Sequence, residues 1–153
     1  MSQHSSIATP TLVSLLICDQ VIDDRLSGKK SAIGLFNTVF VPSLPTRIQH
    51  LAVMATLTEI SGRTPLRLRL MRDEDNTVLM QTQGHVDAPD PLTMVDLVFA
   101  MQGIPIAQPG QYAFELLTEG ELLGRRRFYV RIGQPRPPKT IRPPAPEEPE
   151  PEE

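Results

Sequence analysis

The chain has 153 residues, 15 basic and 18 acidic side chains and a net charge of −3, which is one domain's worth of sequence able to bury a single core. Setting aside Arg136, Lys139, Arg142 and the five glutamates of the last seven residues leaves a body of 12 basic and 13 acidic side chains, too near neutrality to draw in nucleic acid. The single cysteine, Cys18, excludes an internal disulfide and a multi-cysteine metal site, so the cytoplasm is the expected location.

Residues 1–10 read as a flexible start containing His4. The apolar run "TLVSLLIC" (11–18) follows without a preceding Lys or Arg and is too short to cross a bilayer. Ile17 stands where a lipidated cysteine would need a small residue, so neither a signal peptide nor a membrane anchor is expected. From here the apolar residues recur with period two or in short solid runs, which predicts an all-β protein. After 11–18 the expected strands are 31–41, 48–60, 65–72, 77–86, 92–101, 111–118 and 121–132, each bounded by Gly, Pro, Asp or Asn. In "LRLRL", Leu66, Leu68 and Leu70 share one face while Arg67 and Arg69 share the other, the mark of a strand with one wet side. The last strand places Phe128, Val130 and Ile132 inward and Arg125, Arg127, Tyr129 and Arg131 outward. Strands 11–18 and 31–41 lack such contrast and are expected to lie centrally or under cover.

The loops "DEDN" (73–76) and "EG" (119–120) predict hairpins. The proline-bearing "QGIPIAQPG" (102–110) predicts a crossover between sheets, because proline donates nothing to a ladder. About eight short strands without helix predict a two-sheet antiparallel β-sandwich, immunoglobulin-like or C2-like, over residues 11–132. If every strand reverses its predecessor, loops 19–30, 61–64, 87–91 and 119–120 share one end and loops 42–47, 73–76 and 102–110 the other. Residues 133–153 hold eight of the 16 prolines and are expected to be a disordered Pro/Glu-rich tail. Its "PRPP" and "IRPP" segments are of the kind that dock in an aromatic groove of a protein partner, though such tails more often serve as spacers.

Gly28-Lys29-Lys30-Ser31 has the look of a phosphate loop, but Asp23 stands where the motif needs its first glycine, Lys30 where it needs Ser or Thr, and a strand follows where a helix is required. The segment therefore predicts a turn at Gly28. Calcium is the one cofactor the loops suggest: Asp19, Asp23 and Asp24 would meet Asp87 and Asp90 of "DAPDP" at a shared end, supplying the oxygens a hard cation wants. Loop aspartates also cap turns, which is their ordinary use. His50 and His85 lie in separate strands, and His85 with Asp87 falls short of a zinc ligand set. No Gly-x-Ser-x-Gly elbow occurs, and Cys18 reads as a buried small hydrophobe, so no enzyme is expected. Arg67 and Arg69, with Arg125, Arg127 and Arg131, would form an anion-binding face if their strands were neighbours. The other use of such arginines is to deter sheet-to-sheet aggregation. With no Trp and two Tyr, the chain lacks stacking platforms for sugars or bases.

The stretch "LLICDQVIDDRLSGKKSAIGLFNTVFVPSLPTRI", and more weakly "LRLRLMRDEDNTVL" and "GQYAFELLTEGELLGRRRFYVRI", resembles a family of small bacterial proteins described only as a domain of unknown function. The resemblance covers roughly residues 11–132 and implies a compact β-sandwich without known cofactor or catalytic residues. The expected function is that of a non-catalytic protein-binding or assembly module. The rival is a calcium-dependent ligand or surface binder using the five aspartates.

Overall fold

The computed structural model describes residues 9–135, 137, 139–147 and 149. The flexible start expected for residues 1–10 falls outside these apart from Thr9 and a buried Pro10, and His4 lies outside them. Nine strands follow in order: β1 (Thr11–Asp23), β2 (Lys30–Leu35), β3 (Thr38–Val41), β4 (Thr46–Thr58), β5 (Thr64–Arg72), β6 (Thr77–Val86), β7 (Val95–Ile106), β8 (Gly110–Thr118) and β9 (Glu121–Ile132). They form a four-stranded sheet, β2-β1-β4-β7, against a five-stranded sheet, β3-β9-β8-β5-β6, as the alternating pattern predicts. All neighbours are antiparallel except β3 and β9, which run parallel.

The core lies between the sheets. Leu15 and Ile17 of β1 and Leu51, Val53 and Leu57 of β4 meet Leu66, Leu68 and Leu70 of β5, Phe114 of β8 and Phe128 of β9. Phe128 stacks between Tyr112 and Phe114, with ring centroids 5.7 and 5.5 Å away, in offset arrangements that aromatic quadrupoles favour. Tyr112 is buried at the start of β8 and donates its hydroxyl to the backbone carbonyl of Gln108 at 2.6 Å. Both expected hairpins are present. Arg72 and Asp75 clasp the β5–β6 turn, and Glu119 and Gly120, both with positive φ (47° and 83°), turn β8 into β9.

Strands β2 and β3, expected centrally or under cover as part of 31–41, lie at sheet edges, and three further expectations about the chain's course need correction. The run 31–41 is two strands, because the chain leaves the four-stranded sheet at Phe36 and Asn37 and joins the five-stranded one as β3. Gly34, at φ +71°, takes up the left-handed backbone just before this corner. Residues 102–106 continue β7 along β4, with Pro105 opposite Arg47, so the crossover is limited to 107–109. Proline is tolerated there because β7 is an edge strand.

The third correction follows from the first. The extra reversal at Phe36–Asn37 places loop 24–29 at the end where β1 finishes, with loops 42–45, 73–76 and 107–109. Loops 59–63, 87–94 and 119–120 sit at the end where β1 begins. Beyond β9, the described residues of the tail carry no regular structure and are exposed.

Candidate functional site

The five aspartates suggested for calcium do not come together. Asp23 ends β1 and Asp24 begins the loop after it, whereas the loop of Asp87 and Asp90 is tied to the other end: Glu59 N–H donates to Pro91 O at 2.9 Å, and Thr58 pairs with Thr11. The 13 residues of β1 separate the two groups, on the order of 40 Å at ~3.3 Å per residue. The cause is the added reversal at Phe36–Asn37. Each carboxylate also has local work. Asp24 accepts from the Leu26 amide and the Ser27 hydroxyl, which hold it below the usual carboxylate range. Asp90 accepts from the Leu92 amide and the Thr93 hydroxyl, Asp23 pairs with Lys30 at 2.5 Å, and Asp19 folds over Gly34 on the neighbouring strand. Among the described residues, no group of three or more His, Cys, Asp or Glu side chains stands close enough to hold a metal.

The expected arginine face is divided. Strand β8 lies between β5 and β9, and its Glu115 stands opposite Arg69 on one side and Arg125 on the other. Glu115 is buried and pairs with Arg69 at 3.5 Å. Arg125 turns to Asp73, whose second oxygen lies 3.5 Å from Arg127 Nε. Two separate hollows result. Arg67 and Arg69 line one of about 540 Å³ with Gln83, His85 and Leu117. Arg125, Arg127 and Arg131 line the other, about 760 Å³, with Tyr129, Asn37, Thr38 and Arg126, a residue that the alternation argument passes over. By alternation Arg126 shares the inward side of Phe128, yet it is exposed, because β3 flanks only Tyr129–Ile132.

The surface that alternation in the sequence does not reveal is the outer face of the four-stranded sheet. Ile17 and Val53 point into the core, so their neighbours Leu16, Cys18, Ala52 and Met54 point outward. The pairing registers set them in rows across the sheet. Ala100, Ala52, Cys18 and Leu35 form one row, and Val98, Met54 and Leu16 the next. Cys18 and Ala52 are buried, while Leu35 and Val98 are 61% and 39% exposed. The Cys18 thiol lies 3.7 Å from Ala52 O, and burial, then the nearby Asp19 charge, push its pKa up, which keeps it a poor nucleophile. On one side of the apolar pair Gln102 stands opposite His50 and Gln20 opposite the exposed Ile33, and on the other side Asp96, Thr56 and Ser14 form a polar row, with Thr56 donating to Asp96 at 2.6 Å. The only sequence signal for this face is the solid apolar run "TLVSLLIC", in which both sides of the strand are apolar.

Sheet order, the parallel β3–β9 pair, and a buried tyrosine at the start of β8 bonded back to the preceding corner define an immunoglobulin-like sandwich. Residues 13–131 match the model of a family of unknown function (DUF6941), and the chain belongs to that family. No curated protein matches it. Among solved structures, it is similar to the alkylpurine DNA glycosylase AlkC of Pseudomonas fluorescens bound to DNA containing an abasic site analogue. There the TM-score is 0.48 at 10% identity, covering 80% of this chain and 30% of the glycosylase, so this chain spans less than a third of that protein. It is also similar to an immunoglobulin-like protein of Pseudomonas aeruginosa, with a TM-score of 0.44 at 17% identity, covering 83% of this chain and all of the other. Neither likeness bears on function. Among the described residues, no helix is long and apolar enough to cross a membrane.

Proposed function

We propose that this protein is a non-catalytic assembly module of the cytoplasm, and that its docking surface is the outer face of the four-stranded sheet, where a second copy stacks. The observation that carries this reading is the pair of adjacent uncharged rows, Ala100-Ala52-Cys18-Leu35 and Val98-Met54-Leu16, in which Ala100, Leu35 and Val98 are exposed around the buried Cys18 and Ala52. The other outer face differs, since Arg67, Arg69, Gln81, Gln83 and Arg125 keep it wet. A contiguous apolar patch rimmed by polar residues is the usual mark of a contact surface.

A second copy suits this face on two grounds. Four strands ~4.8 Å apart and four side-chain rows ~6.7 Å apart span on the order of 500 Å² in projection, comparable with the ~800 Å² of accessible surface that each partner buries in a standard interface. The central rows carry no charge, so twofold apposition of the face with itself meets no like-charge repulsion. Sedimentation equilibrium tests the reading. The full chain should have twice the mass of its 17.0 kDa monomer, and Val98→Glu or Leu35→Glu should return it to the monomer with an unchanged melting midpoint. A monomeric full chain, or variants that remain dimeric, would overturn self-assembly through this face.

A further inference from the structure

Strand β6 closes the five-stranded sheet on one side, and among the described residues nothing pairs with its outer edge. Exposed edges are usually blunted by proline, by charge or by shortness of the strand. Strand β7 has Asp96 and Pro105, β2 has Lys30, and β3 is four residues long. The ten residues of β6, "TVLMQTQGHV", contain no proline, no lysine, no arginine and no carboxylate. Its one irregularity is the bulge at Leu79, which leaves 80–86 regular against β5.

The backbone polar groups of this edge point into the open. The Thr118 hydroxyl donates to Pro65 O at 2.7 Å, so Pro65 directs its carbonyl toward β8. Along a paired strand the polar groups of successive residues alternate in direction, so those of Leu66 and Leu68 turn toward β6, where Gly84 and Thr82 meet them. Gln81, Gln83 and His85 therefore turn theirs away from β5. The side chains of Gln83 and His85 line the hollow of about 540 Å³ together with Arg67 and Arg69. Arg69 is drawn to Glu115 at 3.5 Å. Arg67 is exposed, and among the described residues no carboxylate pairs with it, not even Glu119, which lines the same hollow.

We propose that β6 takes an extended acidic segment of a partner protein as an added antiparallel strand, with a glutamate or aspartate opposite Gln83 reaching Arg67. In such a pair the residue opposite Gln83 exchanges both backbone bonds with it and shares its face, so one position serves the open backbone and the free guanidinium together. Two strand spacings of ~4.8 Å separate that residue from Arg67, a gap that an arginine and a carboxylate side chain span between them. Residues two positions to either side fall on the same face, so the partner carries its acidic residues alternately. Main-chain bonds supply the affinity of a strand added in this way and side chains its register. The β6 strand of a second copy has no carboxylate to offer Arg67, which disfavours pairing of two copies edge to edge.

Fluorescence anisotropy of a labelled peptide, Ser-Glu-Val-Glu-Val-Glu-Ser, titrated with the full chain tests the proposal. Binding should saturate, and the counterpart with lysine in place of glutamate should not bind. Methylating the glutamate amides keeps the charge and removes the edge that pairs, so it should abolish binding to the native chain. Arg67→Glu, whose amide dispersion shows that it is folded, should weaken binding about tenfold or more. When the peptide is added, the amide signals of residues 81–85 should shift most. Absent binding, binding of the lysine peptide, or binding that survives amide methylation or the Arg67 substitution would overturn the proposal. Shifts at 81–85 that follow chain concentration without peptide would give the edge to a second copy and overturn it equally.

Discussion

The buried Tyr112 donates its hydroxyl across the corner between β7 and β8 to the carbonyl of Gln108, at 2.6 Å, while its ring stacks on Phe128. One side chain thus ties the crossover between the sheets to the centre of the core. Tyr112→Phe keeps the stack and removes the bond, leaving a part-buried carbonyl unsatisfied, and should cost about 1–3 kcal/mol. Urea unfolding should show a lower midpoint with an unchanged slope. An unchanged midpoint would show that the corner is held by the stack alone.

Gly34 has φ +71° and the Asp19 carboxylate lies where its Cβ would go. Gly34→Ala meets both obstacles, and the backbone strain alone is worth about 1–3 kcal/mol. Adding Asp19→Ala should recover only the steric part, so the double variant should melt between Gly34→Ala and the native chain. Full recovery would mean that the left-handed backbone at the corner is not required.

These two positions also show what the sequence made legible. The period-two pattern of "LRLRL" and "GRRRFYVRI" marks strands β5 and β9 and assigns most of their wet faces, because one side of each meets the core and the other meets water, but Ile132, expected inward with Phe128 and Val130, is 58% exposed at the end of β9. The corner at Phe36–Asn37 was not legible, since apolar residues continue on both sides of it and neither proline nor a charge cluster marks the break. That single missed reversal misplaced Asp23 and Asp24 relative to Asp87 and Asp90. The partition of the arginines by Glu115 was hidden for a different reason: alternation orders residues within a strand and says nothing of which strands are neighbours. The apolar outer face was half visible, since a strand apolar on both sides needs cover, but β1 and β4 could be matched only once their register was known.

Arg72 clasps Asp75 through Nε and Nη2, at 3.0 and 2.6 Å, within the β5–β6 turn. That clasp, with a further hydrogen bond from Thr77, holds the Asp75 carboxyl far below its ordinary value of 3.8. A carboxyl depressed in the folded state stabilises the fold above its ordinary pKa, and the contribution is lost as pH falls through the lower one. Asp75→Asn should therefore melt lower than the native chain at neutral pH. The gap should narrow steadily as pH is taken from about 5 to about 2. A gap that stays constant across that range would assign the effect to shape rather than charge.

Calcium should leave the melting midpoint of the full chain unchanged at millimolar concentration, because β1 holds the two aspartate groups at opposite ends of the sandwich. A ligand that binds only the native state must raise the midpoint. A rise abolished by Asp23→Asn or by Asp87→Asn would show that an acidic loop binds the ion on its own.

The central claim is that the uncharged rows of the four-stranded sheet face a second copy. Isotope-filtered nuclear Overhauser spectra of a mixture of labelled and unlabelled full chains test it most directly, because they register only contacts between molecules. The account predicts intermolecular contacts among the methyl groups of Leu16, Leu35, Met54 and Val98. Their absence at concentrations where the chain is dimeric, or contacts arising from the five-stranded sheet instead, would contradict it.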